Sequence, residues 1–569
     1  MAFAAGTNNQ TYVVNIITDG VDANTGDGVC DTDLIASGLQ CTLRAAIQQA
    51  NAHAGRDTVV LSGNLTYTLS ITGVTEDDAA MGDLDIVDDL NLVVSPTLTG
   101  THPLAVVDAQ QMDRVFHVLQ VQTEISGVVV YNGRTADAGG GILSDGILIM
   151  VNSQVFSNSA GDGGGILSYG TVIMTDSKVL SNSAGSGGGL YNYLGQLLLK
   201  DTVIQANTAR YLGGGLLNNP DSTLEMNGGA ILSNSIVSAE AFGAGLANAN
   251  VAGLYEVLVQ GNWISSTAIA IGAGLVNYNG GTLSLERSRM EGNWIQGTIT
   301  NSGNGGGLHN AINSHTIMVS STVMQNRAFV GGGIQNDGLM TITASSVYSN
   351  QAFQVGGGIA NIGGPDPLAH LVVVNSTVSG NSSAGDAGGI RNDGDLMLHH
   401  VTVVRNAADT DGDGNGDGGG ISTSRRANIS MVSATYESVI GLNIDASPVV
   451  TNRIPVPDCS GTLVVQNYGL LQHTQGCQLS GTLSGAMIGV DPILGPLQDN
   501  GGDSWSVQPM FGSPLIDGGA LQSCSGIANA PLSIDQRGQP RPLGDRCDLG
   551  AVEAVNLVTS KLYLPILQQ

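Results

Sequence analysis

The sequence predicts an all-β fold, a right-handed parallel β-helix of about ten or eleven coils with a cap at each end. Three observations predict it. A glycine-rich triplet, or its Gly-Ala-Gly or Ala-Gly-Gly variant, begins at residues 139, 163, 187, 213, 243, 272, 305, 331, 356, 387 and 418, at spacings of 24 to 33 residues. Asparagine stands five or more residues before the next triplet, at Asn158, Asn182, Asn207, Asn234, Asn262, Asn293, Asn326, Asn350, Asn381 and Asn406. Aliphatic residues or Met lie three and eight positions before each of these, as in Val155 and Met150, Val179 and Met174, Ile204 and Leu199. With the intervening alternation, this is the period of a strand and not of a helix.

Each repeat thus supplies about three short strands, a glycine turn and an asparagine turn, with length variation collected between them. Glycine suits the tight turn because it takes positive φ and permits close backbone approach. Asparagine tolerates left-handed φ, and stacked amides can hydrogen-bond from coil to coil. After nearly every triplet comes Ile or Leu, and two residues later a small polar residue: Ser144, Ser168, Asn192, Asn218, Asn248, Asn277, Asn310, Asn336, Asn361, Asn392 and Thr423. Columns that serve every coil alike read as scaffold, because catalysis needs an exception at one place.

Composition agrees. The 569 residues include 82 Gly, yet 42% are hydrophobic, which separates the chain from disordered glycine-rich sequences. The net charge of −28, from 47 acidic and 19 basic residues, disfavours nucleic acid and anionic membrane as partners. No apolar run approaches the length of a membrane span. Glycans, surface proteins and copies of the chain itself remain the expected partners.

Three segments follow. Residues 1–135 form an N-terminal cap and the first coils, 136–440 the regular repeats, and 441–569 C-terminal coils with an anchor-like module. Within the cap, Leu43, Ala46, Ile47 and Ala50 fall at helical spacing and predict a short amphipathic helix over the first coil. Stretches 57–61 and 90–94 read as strands beginning the stack. The six cysteines form sequence-local pairs, Cys30 with Cys41, Cys459 with Cys477 and Cys524 with Cys547, which read as disulfides and hence as an exported, extracellular or cell-surface protein. Residues 1–6 resemble the small-residue end of a signal peptide behind a start methionine. The tail "KLYLPILQQ" (561–569) is expected to be a terminal strand on the last coil, with a sorting tail as the alternative.

Both ends also resemble known families. "DGVCDTDLIASGLQCTLRAAIQQANA" is similar to the N-terminal motif of secreted bacterial β-helix proteins named for a C-S-L-R-E-A signature, through Cys30, Cys41, Leu43, Arg44, Ala46, Ile47, Ala50 and Asn51. Ala45 replaces the usual acid, so any ion pair made by that acid is lost here. The middle resembles the polymorphic outer-membrane-protein repeat. Segments 496–519 and 535–553 resemble the choice-of-anchor module that follows such β-helices. The resemblance implies a pectin-lyase-like solenoid at a bacterial surface or exterior, and no single activity.

No catalytic residue is assigned. A galacturonan hydrolase of this fold needs clustered acids, Gly-His-Gly and Arg-x-Lys; the only Asp-Asp pairs are Asp77-Asp78 and Asp88-Asp89, and the other two elements do not occur. Lys178 and Lys200 are the lysines within the repeats, and Arg287, Arg289 and Arg327 face no acidic column. His309, His315, His370, His399 and His400 do not share a column. One segment carries ion chemistry: Asp409, Asp411, Asp413, Asn415 and Asp417 place oxygen ligands on alternate residues, with Gly414 at the sharp turn of an EF-hand-like loop. The acid expected at the twelfth position is Gly420. A structural calcium ion is expected here, secondarily at Asp19, Asp22, Asp27, Asp31 and Asp33, and no other cofactor is required. Apolar outward positions (Ile149, Val151, Ile173, Leu198, Ile317, Val319, Val372, Val374) predict a contact stripe or the floor under a covering loop. The functional expectation is a structural or adhesive surface protein. The alternatives are a polysaccharide lyase or hydrolase with its site in the long coils between 243 and 305, and a self-assembling filament subunit.

Overall fold

The computed structural model describes residues 9–73, 77–96, 103–297, 303–363, 369–424, 433–448, 454–521, 524, 526 and 530–554. The expectations for residues 1–6 and 561–569 lie outside the described residues. Contacts divide the chain into two compact units, Met1–Ser284 with Ser288–Gly303, and Leu285–Arg287 with Asn304–Gln569.

Both units are parallel β-helix. In the first, one coil consists of the strands Ile166–Ser168, Thr171–Thr175 and Lys178–Leu180. Each pairs in parallel and in register with its counterparts one coil before and one coil after, so three faces build up side by side. Ile166, Val172, Met174 and Val179 point inward and are almost wholly buried, each contributing about 1.5–3 kcal/mol of transfer free energy. The expected helix is present at Leu43–Ala52, and the expected strands at Asp57–Leu61 and Leu90–Val94.

The variable stretch differs from the sequence reading. It is not only turn, but a fourth set of strands, among them Ser183–Ser186, Thr208–Leu212, Ser235–Phe242 and Trp263–Ile271. The longer of these carry Phe242 and Ile271, with Leu212, onto the outward residues Leu217, Ala247 and Val276, making a second apolar layer outside the coil.

The asparagine column also works differently from one of its two expected reasons. The residue in left-handed conformation is the one before the Asn: Ser157, Ser181, Ala206 and Ser233 have φ of 55°, 53°, 55° and 51°. The Asn side chain turns inward and forms a ladder. Both N and Nδ2 of Asn158 donate to Oδ1 of Asn182, at 2.9 and 3.0 Å, and Nδ2 also donates to the Val130 carbonyl. The pattern repeats through Asn207, Asn234 and Asn262 to Asn293. In the second unit it runs from Asn326 through Asn350, Asn381 and Asn406 to Asn443, and ends on Asp458. A parallel ladder links Asn192, Asn218, Asn248 and Asn277, and another links Asn310, Asn336, Asn361 and Asn392.

Two different constraints fix a glycine triplet. Gly163 has φ of +61°, while a Cβ on Gly164 would meet the carbonyl oxygens of Ser183 and Gly188 at 2.4 and 2.5 Å. In the Ala-Gly-Gly variant, Ala387 occupies the positive-φ position at 58°.

The helix caps the first coils through Arg44. Its guanidinium is fully buried, pairs with both Asp19 oxygens at 2.8 and 3.1 Å, and donates to the carbonyls of Ala79, Gly82 and Asp83. Burial of Asp19 works against its charge, but Arg44 and the Ser70 and Ile71 amides hold its carboxyl below the usual range. Ala45, beside Arg44, is completely buried.

In the second unit, the described residues between 494 and 554 return along the outside of the third face. Ser504 donates to the Ala344 carbonyl, Trp505 stacks on Tyr348 at 5.6 Å and 2°, and Gln536 accepts from Thr377 and donates to the Ser345 carbonyl. Arg541 donates to Asn375, and the Ala551 amide to Thr402. The underlying strands Ser346–Tyr348, Thr377–Ser379, Thr402–Val404 and Val439–Gly441 are consequently buried at every residue. In Lys178–Leu180 and Val203–Gln205 of the first unit only the middle residue is buried. Val372 and Val374 are buried, whereas Ile149, Val151, Ile173 and Leu198 remain half-buried. Arg541–Glu553, at 2.7 Å and almost fully buried, is the charged centre of the docked segment. Disulfides join Cys30 to Cys41, Cys459 to Cys477 and Cys524 to Cys547.

Candidate functional site

The residues that stand out chemically lie on the outward side of the first face in the first unit. The middle residue of each three-residue strand there points outward, and strict register stacks these residues in one column. It runs Asp85, His117, Leu143, Leu167, Tyr191, Leu217, Ala247, Val276. A second column occupies the corner just beyond these strands, where each amide donates to a carbonyl of the preceding coil. It contains Asp145, Tyr169, Tyr193, Asn219, Ala249 and Tyr278. Acid and imidazole at one end of the strip therefore give way to tyrosines, with coils about 4.8 Å apart.

At the polar end His117 lies between two carboxylates, Nδ1 at 3.4 Å from Asp85 and Nε2 at 3.0 Å from Asp145. Burial opposes the imidazolium, yet the two carboxylates outweigh it and hold His117 above its ordinary value. Asp83 beside it is pushed up to about 7, first by burial and then by Asp85, although Arg114 at 3.2 Å works the other way. The Arg44 bonds to the 79–83 carbonyls hold the loop that presents Asp83. Asp77, Asp85 and His117 bring one ligand atom each within 4.8 Å of one another, a carboxylate–imidazole set able to hold a divalent ion.

At the tyrosine end, the rings of Tyr169 and Tyr193 lie 5.2 Å apart at 59°, and those of Tyr191 and Tyr193 5.7 Å apart at 64°. Tyr169 and Tyr193 are 43% and 38% exposed, with Leu194 beside them at 53%. Tyr191 rests against the second apolar layer formed by Leu217, Ala247 and Val276. Burial raises the Tyr169 and Tyr191 hydroxyls, as do nearby Asp162 and the neighbouring tyrosines. The phenols stay neutral and can donate as well as accept.

The residues singled out by sequence fall elsewhere. In the second unit, carboxylate oxygens of Asp409, Asp411 and Asp413 converge within 4.8 Å. Asn415 instead donates to Asp413, and the Asp417 amide donates to Asp386. Asp409 is fully buried and accepts from the Gly414 amide. The acidic stretch near Cys30 brings together only Asp22 and Asp27, which share the Gln49 side-chain nitrogen at 2.7 and 3.4 Å, and no third carboxylate joins them among the described residues. Asp19 pairs with Arg44, Asp22 and Asp31 accept loop amides, and Asp27 and Asp33 cap the turns that follow them. In the long coils between 243 and 305 no acid–base group of this kind gathers among the described residues; Trp263 and Trp294 stack there at 5.7 Å. His309 and His400 are buried and pushed down to about 4 by burial. Sequence reasoning missed His117 because the strands Leu84–Ile86 and Phe116–Val118 precede the first glycine triplet. It missed the tyrosines although Tyr169 and Tyr193 directly follow, and Tyr191 directly precedes, the small polar residues Ser168 and Asn192.

No family model matches the chain, and no curated protein matches it. Among solved structures it is similar to pectate lyase Pel9A, with 11% identity over 97% of this chain and 98% of that one at a TM-score of 0.24. It is also similar to the Dettilon tailspike protein, with 11% identity over 83% of this chain and 68% of that one at a TM-score of 0.20.

Proposed function

We propose that this is an exported β-helix protein that binds glycan chains, without cleaving them, along the tyrosine strip of its first unit. The observation that carries the reading is the group of exposed Tyr169 and Tyr193 with half-buried Tyr191, supported from beneath by an apolar layer and bordered by Asp145 and Asp162. Sugar rings present apolar C–H faces to such rings and hydroxyls to the flanking phenols and carboxylates. Aromatic side chains combine large contact area with little entropy to lose. Carboxylates at the strip and a net charge of −28 favour neutral or amino-sugar chains over polyuronates. Three disulfides and the resemblance of both ends to secreted bacterial β-helix families support export to a cell surface or exterior. In this reading a calcium ion held by Asp409, Asp411 and Asp413 stiffens the loop that carries them.

A second reading is acid–base cleavage of a polysaccharide at Asp83, Asp85 and His117, favoured by a carboxyl pushed up to about 7 beside a second carboxylate. Burial weighs against it: the side chains of Asp83 and Asp85 are 9% and 0% exposed.

Binding of glucosamine oligosaccharides, neutral β-glucan and polygalacturonate, with reducing ends and unsaturated products assayed in the same samples, tests both. Retention of neutral or amino-sugar chains, weakened about tenfold or more by Tyr169→Ala with Tyr193→Ala, is the expected result. Preference for polygalacturonate, or indifference to the tyrosine substitutions, would sink the binding reading. Product formation abolished by Asp83→Asn would establish the second.

A further inference from the structure

We propose that Asp77, Asp85 and His117 hold a zinc-class divalent ion at the polar end of the strip, with Asp145 orienting the imidazole. The inference goes beyond glycan binding and does not depend on it. One ligand atom from each of the three residues lies within 4.8 Å of the other two. The imidazole sets this group apart from the oxygen-only loop at Asp409, Asp411 and Asp413. Calcium and magnesium are held by oxygens, whereas imidazole joined to carboxylates suits zinc and similar first-row ions.

The two sides of the His117 ring are built differently. Nε2 donates to Asp145 at 3.0 Å, the outer carboxylate contact that fixes a metal-bound histidine. Nδ1 faces Asp85 at 3.4 Å, beyond the length of about 2.7–2.9 Å usual for a charge-assisted hydrogen bond. Bonds of about 2.0–2.2 Å at a tetrahedral centre set neighbouring ligand atoms about 3.3–3.6 Å apart, and the Nδ1–Asp85 spacing falls in that range. The frame behind the ligands is fixed. Asp85 is buried on Leu84–Ile86, in register with His117 on Phe116–Val118. The loop that carries Asp77 is pinned just beyond it. The Ala79 amide donates to Asp85, Gln48 donates to the Ala79 carbonyl, and Arg44 donates to the carbonyls of Ala79, Gly82 and Asp83. Asp77 itself is exposed, so it can close by the roughly 1 Å that coordination requires, and water can take the fourth position. Asp83 and Asp145 add two further carboxylates, against the guanidinium of Arg114, and this field draws a cation.

The test is titration of the full chain with Zn²⁺ by calorimetry, and with Co²⁺ by visible absorption, whose intensity reports a nitrogen-containing site of low coordination number. A site with Kd below about 10 µM is expected, not displaced by calcium at about 1 mM. Asp77→Asn and His117→Gln should each weaken it by about 100-fold or more, and Asp145→Asn by about 10- to 100-fold with the shape of the Co²⁺ spectrum retained. Asp411→Asn with Asp413→Asn should leave it unchanged. So should Tyr169→Ala with Tyr193→Ala, which makes failure here distinguishable from failure of the glycan reading. Should His117→Gln misfold by circular dichroism, Asp77→Asn at its exposed position carries the test. A wild type with no Zn²⁺ site tighter than about 100 µM overturns the proposal. So does Zn²⁺ binding that survives Asp77→Asn undiminished, or calcium that displaces the ion.

Discussion

Asn207 offers the sharpest test of how the coils are held together. Its side chain is fully buried and makes four hydrogen bonds. Oδ1 accepts from N and Nδ2 of Asn182, each at 2.9 Å, and Nδ2 donates to the Val179 carbonyl at 2.9 Å and to Asn234 Oδ1 at 3.0 Å. At a net value of about 1 kcal/mol each, and with the buried Asn182 amide left without its acceptor, Asn207→Ala should cost about 3–5 kcal/mol. The loss should be local, because each coil touches only its neighbours. Hydrogen exchange read by mass spectrometry should show lost protection over residues 179–234, with distant coils unchanged. Asn227→Ala, at an exposed position, should stay within about 0.5 kcal/mol of wild type. A cost below about 1 kcal/mol for Asn207→Ala, or protection lost evenly along the chain, would refute the ladder as a load path between coils.

Three further outcomes are expected. Arg541→Ala leaves Glu553 buried without its partner and should cost about 3–5 kcal/mol of docking for residues 494–554; unstacking of Trp505 from Tyr348, seen in fluorescence and proteolysis, reports it. Asp548 is pushed up to about 7 by burial and by Glu553, despite amide donors at Ala554 and Asp517. A raised carboxyl pKa means that the folded state binds the extra proton, so its contribution is complete below the ordinary pKa of 3.8 and is lost as pH rises toward 7. Asp548→Asn should flatten that slope in denaturant titrations run from pH 4 to pH 8. Ala387→Gly relieves a left-handed alanine and should stabilise by about 0.5–1 kcal/mol, whereas Gly163→Ala should destabilise, both read from the denaturation midpoint of the affected unit.

The scaffold was legible because its demands recur. Glycine at a positive-φ corner, asparagine in a ladder and alternating inward aliphatics are imposed afresh in each coil, so the phase is visible in the sequence. The mechanism behind the asparagines was only half visible. Ser157, Ser181 and Ala206 take the left-handed turn, and residues of such ordinary type give no sign of it. The functional strip was hidden for the opposite reason. His117 and Asp85 occur once each, in coils lacking the glycine mark, and meet only through a register that skips 32 residues from Asp85 to His117. The fourth strand set was hidden by its varying length. The covering of the third face by residues 494–554 depends on contacts such as Gln536 with Thr377, separated by 159 residues, which periodicity cannot report.

The ladder in the second unit has a direction. From Asn326 to Asn443 each amide donates toward the following coil, so the side-chain dipoles add along the stack with their positive ends toward the C-terminal coils. That chain of amides behaves electrically like the backbone of a helix, and like a helix it needs a negative group where the unspent N–H points. Asp458 supplies it. Oδ1 takes both donors of Asn443, and Oδ2 turns to the amide and ring of His473, a carboxylate that receives and passes nothing on. A residue that can accept but not donate is a terminator, so the length of this polar wire is written into the chain as one Asp in place of one more Asn.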